Sequence, residues 1–135
     1  MNGAVRPFVD TNVLLYLLSS NAAKADRAEA LLAGRIVISV QVLNEFANVA
    51  RRKVAIGRSE LAQVLVDIRR FADVQALTPE THDRGLALAE RYQLSIYDAM
   101  IAAAALEAGC TTLASEDFQS GQRIDGRLTI RNPFA

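Results

Sequence analysis

Four acidic residues stand where an apolar segment of the chain ends or turns. They are Asp10 in FVDTN, Glu45 in VLNEFANV, Asp98 in SIYDAMIAAA and Asp117 in LASEDF. A carboxylate placed beside an apolar core costs free energy unless it is paired or bound to a metal ion. Because one small domain carries four such costs, a shared site for a divalent metal ion is the most economical interpretation.

Two of these acids could also serve only to begin a helix. Asp10 is a good helix-capping residue, although Thr11 and Asn12 directly after it could do the same. Asp98 stands three residues after Ser95, which is the spacing of a capping box. Since the carboxylate of a helix-start residue can also bind an ion, the capping and ligand roles are compatible.

The other two acids are ambiguous when they are read alone. Glu45 lies at the edge of an apolar helical stripe, where a boundary residue of an amphipathic helix is also expected. Glu116 directly precedes Asp117, and only one of this adjacent pair is expected to face inward. Spacing by itself does not choose between them.

The composition of the chain is that of a single globular domain over residues 1–135. The hydrophobic fraction is 51% and the charged fraction 22%, as in folded proteins of this length. Lys plus Arg and Asp plus Glu are 15 each, so no overall charge attracts nucleic acid. The cations are nearly all arginine, with lysine only at Lys24 and Lys53. Arginine forks bind phosphate, but codon preference explains the same bias, and both readings stay open.

The single cysteine and single histidine exclude several kinds of site. Cys110 alone cannot form an internal disulfide or a cysteine-rich zinc site, and we expect it to be a buried thiol. His82 lies in the polar segment PETHDRG, where a solvated side chain is expected, so Ser-His and Cys-His hydrolase chemistry is poorly supported. The apolar run VLLYLL is too short to span a membrane, which predicts a cytoplasmic protein.

Strand and helix patterns alternate along the chain. The predicted strands lie at residues 5–9, 36–39, 73–77, 111–115 and, as an edge strand, 127–132. The predicted helices lie at residues 11–20, 23–33, 40–53, 59–71, 79–92 and 95–109, with Thr11 or Asn12 near the first cap and Ser39 capping the third. This order predicts an α/β fold with a mainly parallel sheet flanked by helices on both faces, in three layers.

The predicted topology would bring the four acids together. In open parallel sheets, ligands bind beyond the carboxyl ends of the strands. Asp10 follows the first strand and Asp117 follows the strand at 111–115, whereas Glu45 and Asp98 lie in the opening turns of helices. All four could therefore converge on one crevice.

Taken together, the segments resemble the PIN-domain family and, within it, the VapC-type toxins of bacterial toxin–antitoxin pairs. The resemblance covers essentially the whole chain and rests on FVDTNVLLYLL, SVQVLNEFANV, LSIYDAMIAAAA and LASEDFQSGQRIDGRLTIRNPF. It implies metal-binding carboxylates at Asp10 and Asp98, completed by Glu45 and Asp117. It also implies polar side chains that orient these ligands, at Thr11, Asn12 and Ser115.

The resemblance implies a metal-dependent endoribonuclease that uses Mg²⁺ or Mn²⁺. Hard cations of this kind prefer oxygen ligands, so a carboxylate cluster suits them better than His or Cys. The resemblance gives direct coordination to Asp10 and Asp98, with Glu45 on a second ion or its water. Asp117 would coordinate directly or through water, and the family comparison favours it over Glu116.

The resemblance further implies three partners: an RNA substrate, a small antitoxin that occludes the acidic crevice, and a second copy of the chain in a homodimer. Substrate contact would have to come from local charge. Arg51, Arg52 and Lys53 end the Glu45 helix, where cations complement the helix dipole, and we prefer that interpretation to RNA contact. Three more arginines flank the closing segment, at Arg123, Arg127 and Arg131.

Two other functions compete with the nuclease. An aspartyl-phosphate phosphotransferase also begins with an Asp after its first strand, but it usually has a second Asp two residues later, where this chain has Asn12. It also needs a suitably placed lysine. A non-catalytic RNA- or protein-binding module on the same fold would be favoured by loss of the acids, and all four are present.

Overall fold

The structure is a computed structural model that describes residues 6–135. Its strands form one sheet and are β1 (Phe8–Val9), β2 (Ile36–Ser39), β3 (Ala72–Gln75), β4 (Thr112–Ala114), β5 (Arg123–Ile124) and β6 (Leu128–Arg131). The order across the sheet is β3-β2-β1-β4-β6-β5. All neighbouring strands are parallel except β5 and β6, which pair antiparallel.

Helices cover both faces of this sheet in a three-layer arrangement, as predicted. They are α1 (Thr11–Leu14), α2 (Ala22–Ala33), α3 (Val40–Val49), α4 (Arg58–Arg70), α5 (Pro79–Tyr92) and α6 (Ile96–Glu107). A 3₁₀ turn, Leu15–Leu18, follows α1, and a π-helical turn, Ala50–Val54, follows α3. Across residues 6–135, none of the helices has both the length and the apolarity to cross a membrane.

The two central strands of the site, β1 and β4, are held at the middle of the sheet by apolar residues. Phe8 and Val9 are fully buried, and Phe8 pairs with both Val37 and Leu113 on the neighbouring strands. Strands buried on both faces read as continuous apolar runs, which explains FV and IVIS in the sequence. Asp10 thus emerges from the centre of a rigid sheet.

Helix α6 packs closely because most of its buried side chains are alanine. Ala102, Ala103, Ala104 and Ala105 are fully buried, and the helix contacts β2 and β6. Small side chains let a helix backbone approach its neighbours. Ala99, directly after Asp98, is also fully buried, so this close packing begins in the first turn of α6.

The prediction of one helix over residues 11–20 is wrong in the length and the type of the helix. Only Thr11–Leu14 is α-helical, and the next turn is 3₁₀. The capping residue is Asp10, whose backbone is extended and whose side chain accepts a hydrogen bond from the Thr11 N–H. Thr11 and Asn12 do not cap, because their side chains bond to neighbouring site residues.

The closing strand was also predicted at the wrong place in the sheet. Residues 128–131 form β6 between β4 and β5, so β5 and not β6 is the strand at this edge of the sheet. β5 has only two residues, which is too short for a periodic sequence pattern to predict it. Of the predicted first strand, Phe8–Val9 is formed, and its first residue, Val5, lies outside the described residues.

Candidate metal centre

Asp10 forms the floor of the site. It is only 4% exposed, and its backbone N–H donates to the carbonyl oxygen of Ala114 at 2.9 Å, which extends the β1–β4 pairing. Its Oδ1 accepts from the backbone N–H of Thr11 at 2.7 Å. Its Oδ2 accepts from the Ser115 hydroxyl at 2.7 Å. The carboxylate is therefore buried in a fixed orientation at the carboxyl edge of the sheet.

Ser115 connects the first acid to the last. It is fully buried directly after β4, and its backbone N–H donates to the carbonyl oxygen of Arg131 at 3.0 Å. Its hydroxyl donates to Asp10 and accepts from the backbone N–H of Asp117 at 3.0 Å. Asn12 adds weaker contacts, since its Nδ2 lies 3.5 Å from Oδ2 of Asp10 and from Oγ of Ser115.

The structure distinguishes Glu116 from Asp117. The Glu116 backbone N–H donates to Oδ1 of Asn12 at 3.2 Å, while its carboxylate turns away and accepts from the Tyr16 hydroxyl at 2.9 Å. Nζ of Lys24 lies 3.9 Å from the other Glu116 oxygen. Asp117 instead lies with Asp10 and Asp98. The alternative left open by spacing is thus decided in favour of Asp117 as the acid of the cluster.

Asp98 reaches the same place from the first turn of α6. Ser95 caps the helix, and its hydroxyl oxygen accepts from the backbone N–H of Asp98 at 3.1 Å. One carboxylate oxygen from each of Asp10, Asp98 and Asp117 lies within 4.8 Å of the others. Capping geometry and membership of the acidic cluster coexist at Asp98.

Glu45 forms the opposite wall of the cleft. It projects from α3, and its Oε1 accepts from the Thr11 hydroxyl at 2.8 Å. It is not one of the three acids whose oxygens converge within 4.8 Å, but it lines the same cleft. The four predicted acids are therefore in one cavity, three as a tight group and Glu45 beside them.

This cleft has a volume of ≈ 270 Å³. The residues that line it are Asp10, Thr11, Asn12, Leu15, Glu45, Asn48, Val49, Asp98 and Asp117. Sequence reasoning did not identify Asn48, which stands one helical turn after Glu45 on α3. That spacing of three residues was the available signal, because residues three apart share a helix face.

Burial and the charges of neighbouring acids both raise pKa values in the cluster. The pKa of Asp10 is raised from 3.8 to about 6, chiefly by burial and further by the charges of Asp117 and Asp98, against the lowering effect of its hydrogen bonds. The pKa of Asp98 is also raised, first by burial and then by the charges of Asp117 and Glu45. Carboxylates without a nearby cation repel one another in this way.

The donor set fits a hard divalent cation. Mg²⁺ binds oxygen ligands at about 2.1 Å, so two oxygens on opposite sides of one ion are about 4.2 Å apart. The oxygens of the three acids lie within 4.8 Å of one another, which is close to the spacing of ligands around one such ion. The cluster could therefore bind a metal ion.

Elsewhere, two isolated residues behave as the sequence indicated. Cys110 is buried, and burial raises its pKa to about 11, which makes it an unreactive thiol. His82 is exposed on α5.

A mainly parallel three-layer fold with an acidic cleft at the carboxyl edge of its sheet defines a class of α/β proteins with a carboxylate centre. The sequence profile described as PIN domain matches residues 8–123, which include the four acids of the cleft. The chain belongs to the PIN domain family.

Solved structures with the same fold are VapC and VapBC toxin–antitoxin proteins. A toxin–antitoxin complex from Klebsiella pneumoniae matches with a TM-score of 0.72 and 20% identity, over 94% of this chain and 97% of that one. DNA-bound VapBC from Salmonella typhimurium matches with a TM-score of 0.71 and 21% identity, over 96% and 99%.

A third similar structure is VapC20 of Mycobacterium tuberculosis, described as a toxin that cleaves the sarcin–ricin loop. It matches with a TM-score of 0.63 and 22% identity, over 82% of this chain and 88% of that one. At such identities these structures establish a shared fold. No functionally curated protein matches the chain.

Proposed function

We propose that this protein is a metal-dependent endoribonuclease that hydrolyses RNA phosphodiesters as the toxin of a toxin–antitoxin pair. The observation that carries the proposal is the convergence of the Asp10, Asp98 and Asp117 carboxylates within 4.8 Å at the carboxyl edge of the sheet. Membership of the PIN domain family and the toxin–antitoxin proteins of the same fold support it.

In this proposal, Asp10, Asp98 and Asp117 hold Mg²⁺ or Mn²⁺, with Glu45 binding a second ion or its water. When bound, such an ion polarises a phosphodiester and lowers the pKa of a water molecule. The Ser115 hydroxyl donates to Oδ2 of Asp10 and thereby orients that carboxylate. The same hydroxyl oxygen accepts from the backbone N–H of Asp117, so Ser115 keeps the two acids close to each other.

In this proposal Glu45 also holds the water molecule that attacks the phosphodiester. The Thr11 hydroxyl occupies Oε1 of Glu45, while Oε2 accepts no hydrogen bond from the described part of the chain. We assign Oε2 as the acceptor for a water molecule in the cleft, which it would hold and orient for attack on the phosphodiester. Thr11 therefore acts on the reaction by fixing Glu45.

The alternatives have less support. In the described residues no lysine lines the cleft, and the Asn12 amide is committed to Asp10 and Ser115, so the usual groups of an aspartyl-phosphate enzyme are missing. A non-catalytic RNA- or protein-binding module would not need carboxylates held so close together and so buried that the pKa values of Asp10 and Asp98 are raised.

The test compares the wild type with Asp10→Asn and Asp98→Asn on structured RNA with Mn²⁺, and with EDTA as a further control. The substitutions remove charge but keep size, so we expect cleavage to fall by more than about 100-fold. Equal cleavage by all three proteins would indicate a contaminating nuclease and return the binding module to first place. Hydrolysis of an aryl phosphate, lost in Asp10→Asn, would favour the phosphotransferase.

A cytoplasmic ribonuclease of this kind needs control, so we propose a small cognate antitoxin that covers the acidic cleft. The antitoxin would act by excluding RNA and metal ions from the cavity. Co-expression with the product of a neighbouring small open reading frame should yield a stable complex without nuclease activity. A complex that cleaves RNA at the wild-type rate would contradict this part of the proposal.

We also propose a homodimer, formed through an apolar surface around Tyr97. Tyr97 is 68% exposed, and Ile96 and Leu77 are also exposed. These three residues border a cleft of ≈ 260 Å³ that is lined mainly by apolar atoms. A two-fold interface requires one patch with both a projection and a recess, and this patch has both.

Size-exclusion chromatography with light scattering tests the dimer. We expect twice the chain mass for the wild type and a shift to monomer for Tyr97→Glu, because a charge would be buried at the interface. A strictly monomeric wild type would remove the homodimer from the proposal.

A further inference from the structure

The acidic cleft presents a problem for any phosphate-containing substrate. Four of its nine lining residues are carboxylates, and in the described residues no Lys or Arg lines it. An RNA phosphate that approaches is repelled by the acids until cations neutralise them. Hydrogen-bond donors on the wall are therefore needed to position the RNA backbone.

Neutral donors in this cleft come from Thr11, Asn12 and Asn48. Thr11 donates its hydroxyl proton to Glu45 at 2.8 Å. Asn12 directs its amide nitrogen to Asp10 and Ser115, and its oxygen accepts from Glu116. The first two donors are thus committed to holding the site together.

Asn48 differs from both of them. Its side chain is exposed, and it forms no hydrogen bond with any described residue. It lies on α3 one turn after Glu45 and on the wall of the same cleft. An uncommitted amide donor beside a carboxylate centre is available for a ligand.

Three cations follow in the π-helical turn after α3, within a few residues of Asn48. Arg51, Arg52 and Lys53 are exposed in the π-helical turn Ala50–Val54, and within residues 6–135 none of them forms an ion pair. Arg52 is four residues after Asn48, which is about one helical turn further along the chain. Irregular turns of this kind occur often at functional sites.

We infer that the Asn48 amide donates a hydrogen bond to a phosphate oxygen of the RNA backbone next to the cleavage site, with Arg52 contacting the following phosphate. This inference rests on the proposed ribonuclease function. This inference replaces the preference for a purely solvated helix end at Arg51–Lys53, because these exposed cations follow within a few residues of Asn48 and Val49, which line the cleft.

The test measures RNA affinity and cleavage for Asn48→Ala, Asn48→Asp and Arg52→Ala. Asn44→Ala is the matched control, since Asn44 is exposed on the same helix but does not line the cleft. RNA binding is measured in an Asp98→Asn background, where cleavage does not consume the substrate. Thermal shift with Mn²⁺ reports metal binding for each variant in the otherwise wild-type chain.

We expect Asn48→Ala to weaken RNA binding and raise KM about tenfold, as for a lost hydrogen bond to a charged group. Asn48→Asp should weaken it further, with partial recovery in high salt as repulsion is screened. Arg52→Ala should reduce the salt dependence of binding by about 0.7 in the log–log slope for single-stranded RNA. The Mn²⁺-induced shift and the Asn44→Ala values should match the wild type.

Asn48→Ala with the KM and RNA affinity of Asn44→Ala, in an active wild type, would overturn the inference and leave the ribonuclease intact. Loss of the Mn²⁺-induced shift in Asn48→Ala would also overturn it, because Asn48 would then serve the metal. An inactive wild type, with no difference from Asp98→Asn, would instead count against the proposed function itself.

Discussion

The Tyr16 hydroxyl donates a hydrogen bond to Oε1 of Glu116 at 2.9 Å, across 100 residues of sequence. Lys24 supports the same arrangement, since its Nζ lies 3.2 Å from the Tyr16 hydroxyl oxygen and 4.6 Å from the centre of the Tyr16 ring. This contact draws the Glu116 carboxylate out of the cleft and leaves Asp117 next to Asp10 and Asp98.

A pair of substitutions separates the adjacent acids. Asp117→Asn should reduce the Mn²⁺-induced rise in melting temperature, because it removes a charged ligand from the cluster. Glu116→Gln should leave that rise unchanged, since the Gln carbonyl oxygen still accepts from Tyr16. Differential scanning fluorimetry with a Mn²⁺ titration measures both. The opposite ranking of the two variants would transfer the ligand role to Glu116.

Removing the Ser115 hydroxyl should damage the centre without touching a carboxylate. Ser115→Ala leaves the buried Oδ2 of Asp10 without its strongest donor, and we expect a loss of about 1–3 kcal/mol in free energy of unfolding. Metal affinity should fall about 10–100-fold, as for other residues that orient ligands. Chemical denaturation and metal titration check the two effects.

Ser120→Ala provides the matched control for this substitution. Ser120 is exposed and its hydroxyl oxygen accepts only from the backbone N–H of Asn132, at 3.3 Å. Its replacement should leave metal affinity unchanged. Equal losses of metal affinity in the two variants would show that the Ser115 hydroxyl does not orient Asp10.

Metal binding should stabilise the whole protein by mass action. At a free Mg²⁺ or Mn²⁺ concentration 100 times Kd, the gain is about 2.7 kcal/mol, or roughly 5–10 °C in Tm. Asp98→Asn should abolish most of the rise while increasing the Tm of the metal-free protein, because one repelling charge is gone. A wild-type Tm that is flat across millimolar metal would contradict a metal centre.

The raised pKa of Asp10 predicts an unusual pH dependence in EDTA. The folded protein binds this proton more tightly than the unfolded chain does, since the pKa is about 6 rather than 3.8. The free energy of unfolding should therefore be unaffected below about pH 4 and should fall by about 3 kcal/mol as the pH rises through about 6. Urea denaturation across this range measures the decline.

Asp10→Asn should flatten that decline, because the amide does not ionise. Asp73→Asn is a useful contrast: Asp73 is exposed, and hydrogen bonding to Arg35 lowers its pKa. Its contribution is present above the unfolded pKa and is lost only as the pH falls further. A decline that persists unchanged in Asp10→Asn would assign it to another group.

Sequence alone determined those features that depend on local pattern. The β-branched run IVIS predicted β2 at its observed bounds, and Ser39 and Ser95 predicted the caps of α3 and α6. The placing of acids after strands and in first helical turns predicted one crevice, because parallel strands present their carboxyl ends at one edge. These signals depend on residues that are close together in the sequence.

Tertiary structure alone decided what depends on partners distant in sequence. The orientation of the Asp10 carboxylate, the choice of Asp117 over Glu116, and the free amide of Asn48 on the cleft wall depend on Ser115, on Tyr16 and on the assembled cleft, respectively. The two-residue strand β5 and the inner position of β6 are of the same kind. The physical reason is that side-chain hydrogen bonds and strand pairing are chosen by proximity in the folded chain, which local periodicity does not encode.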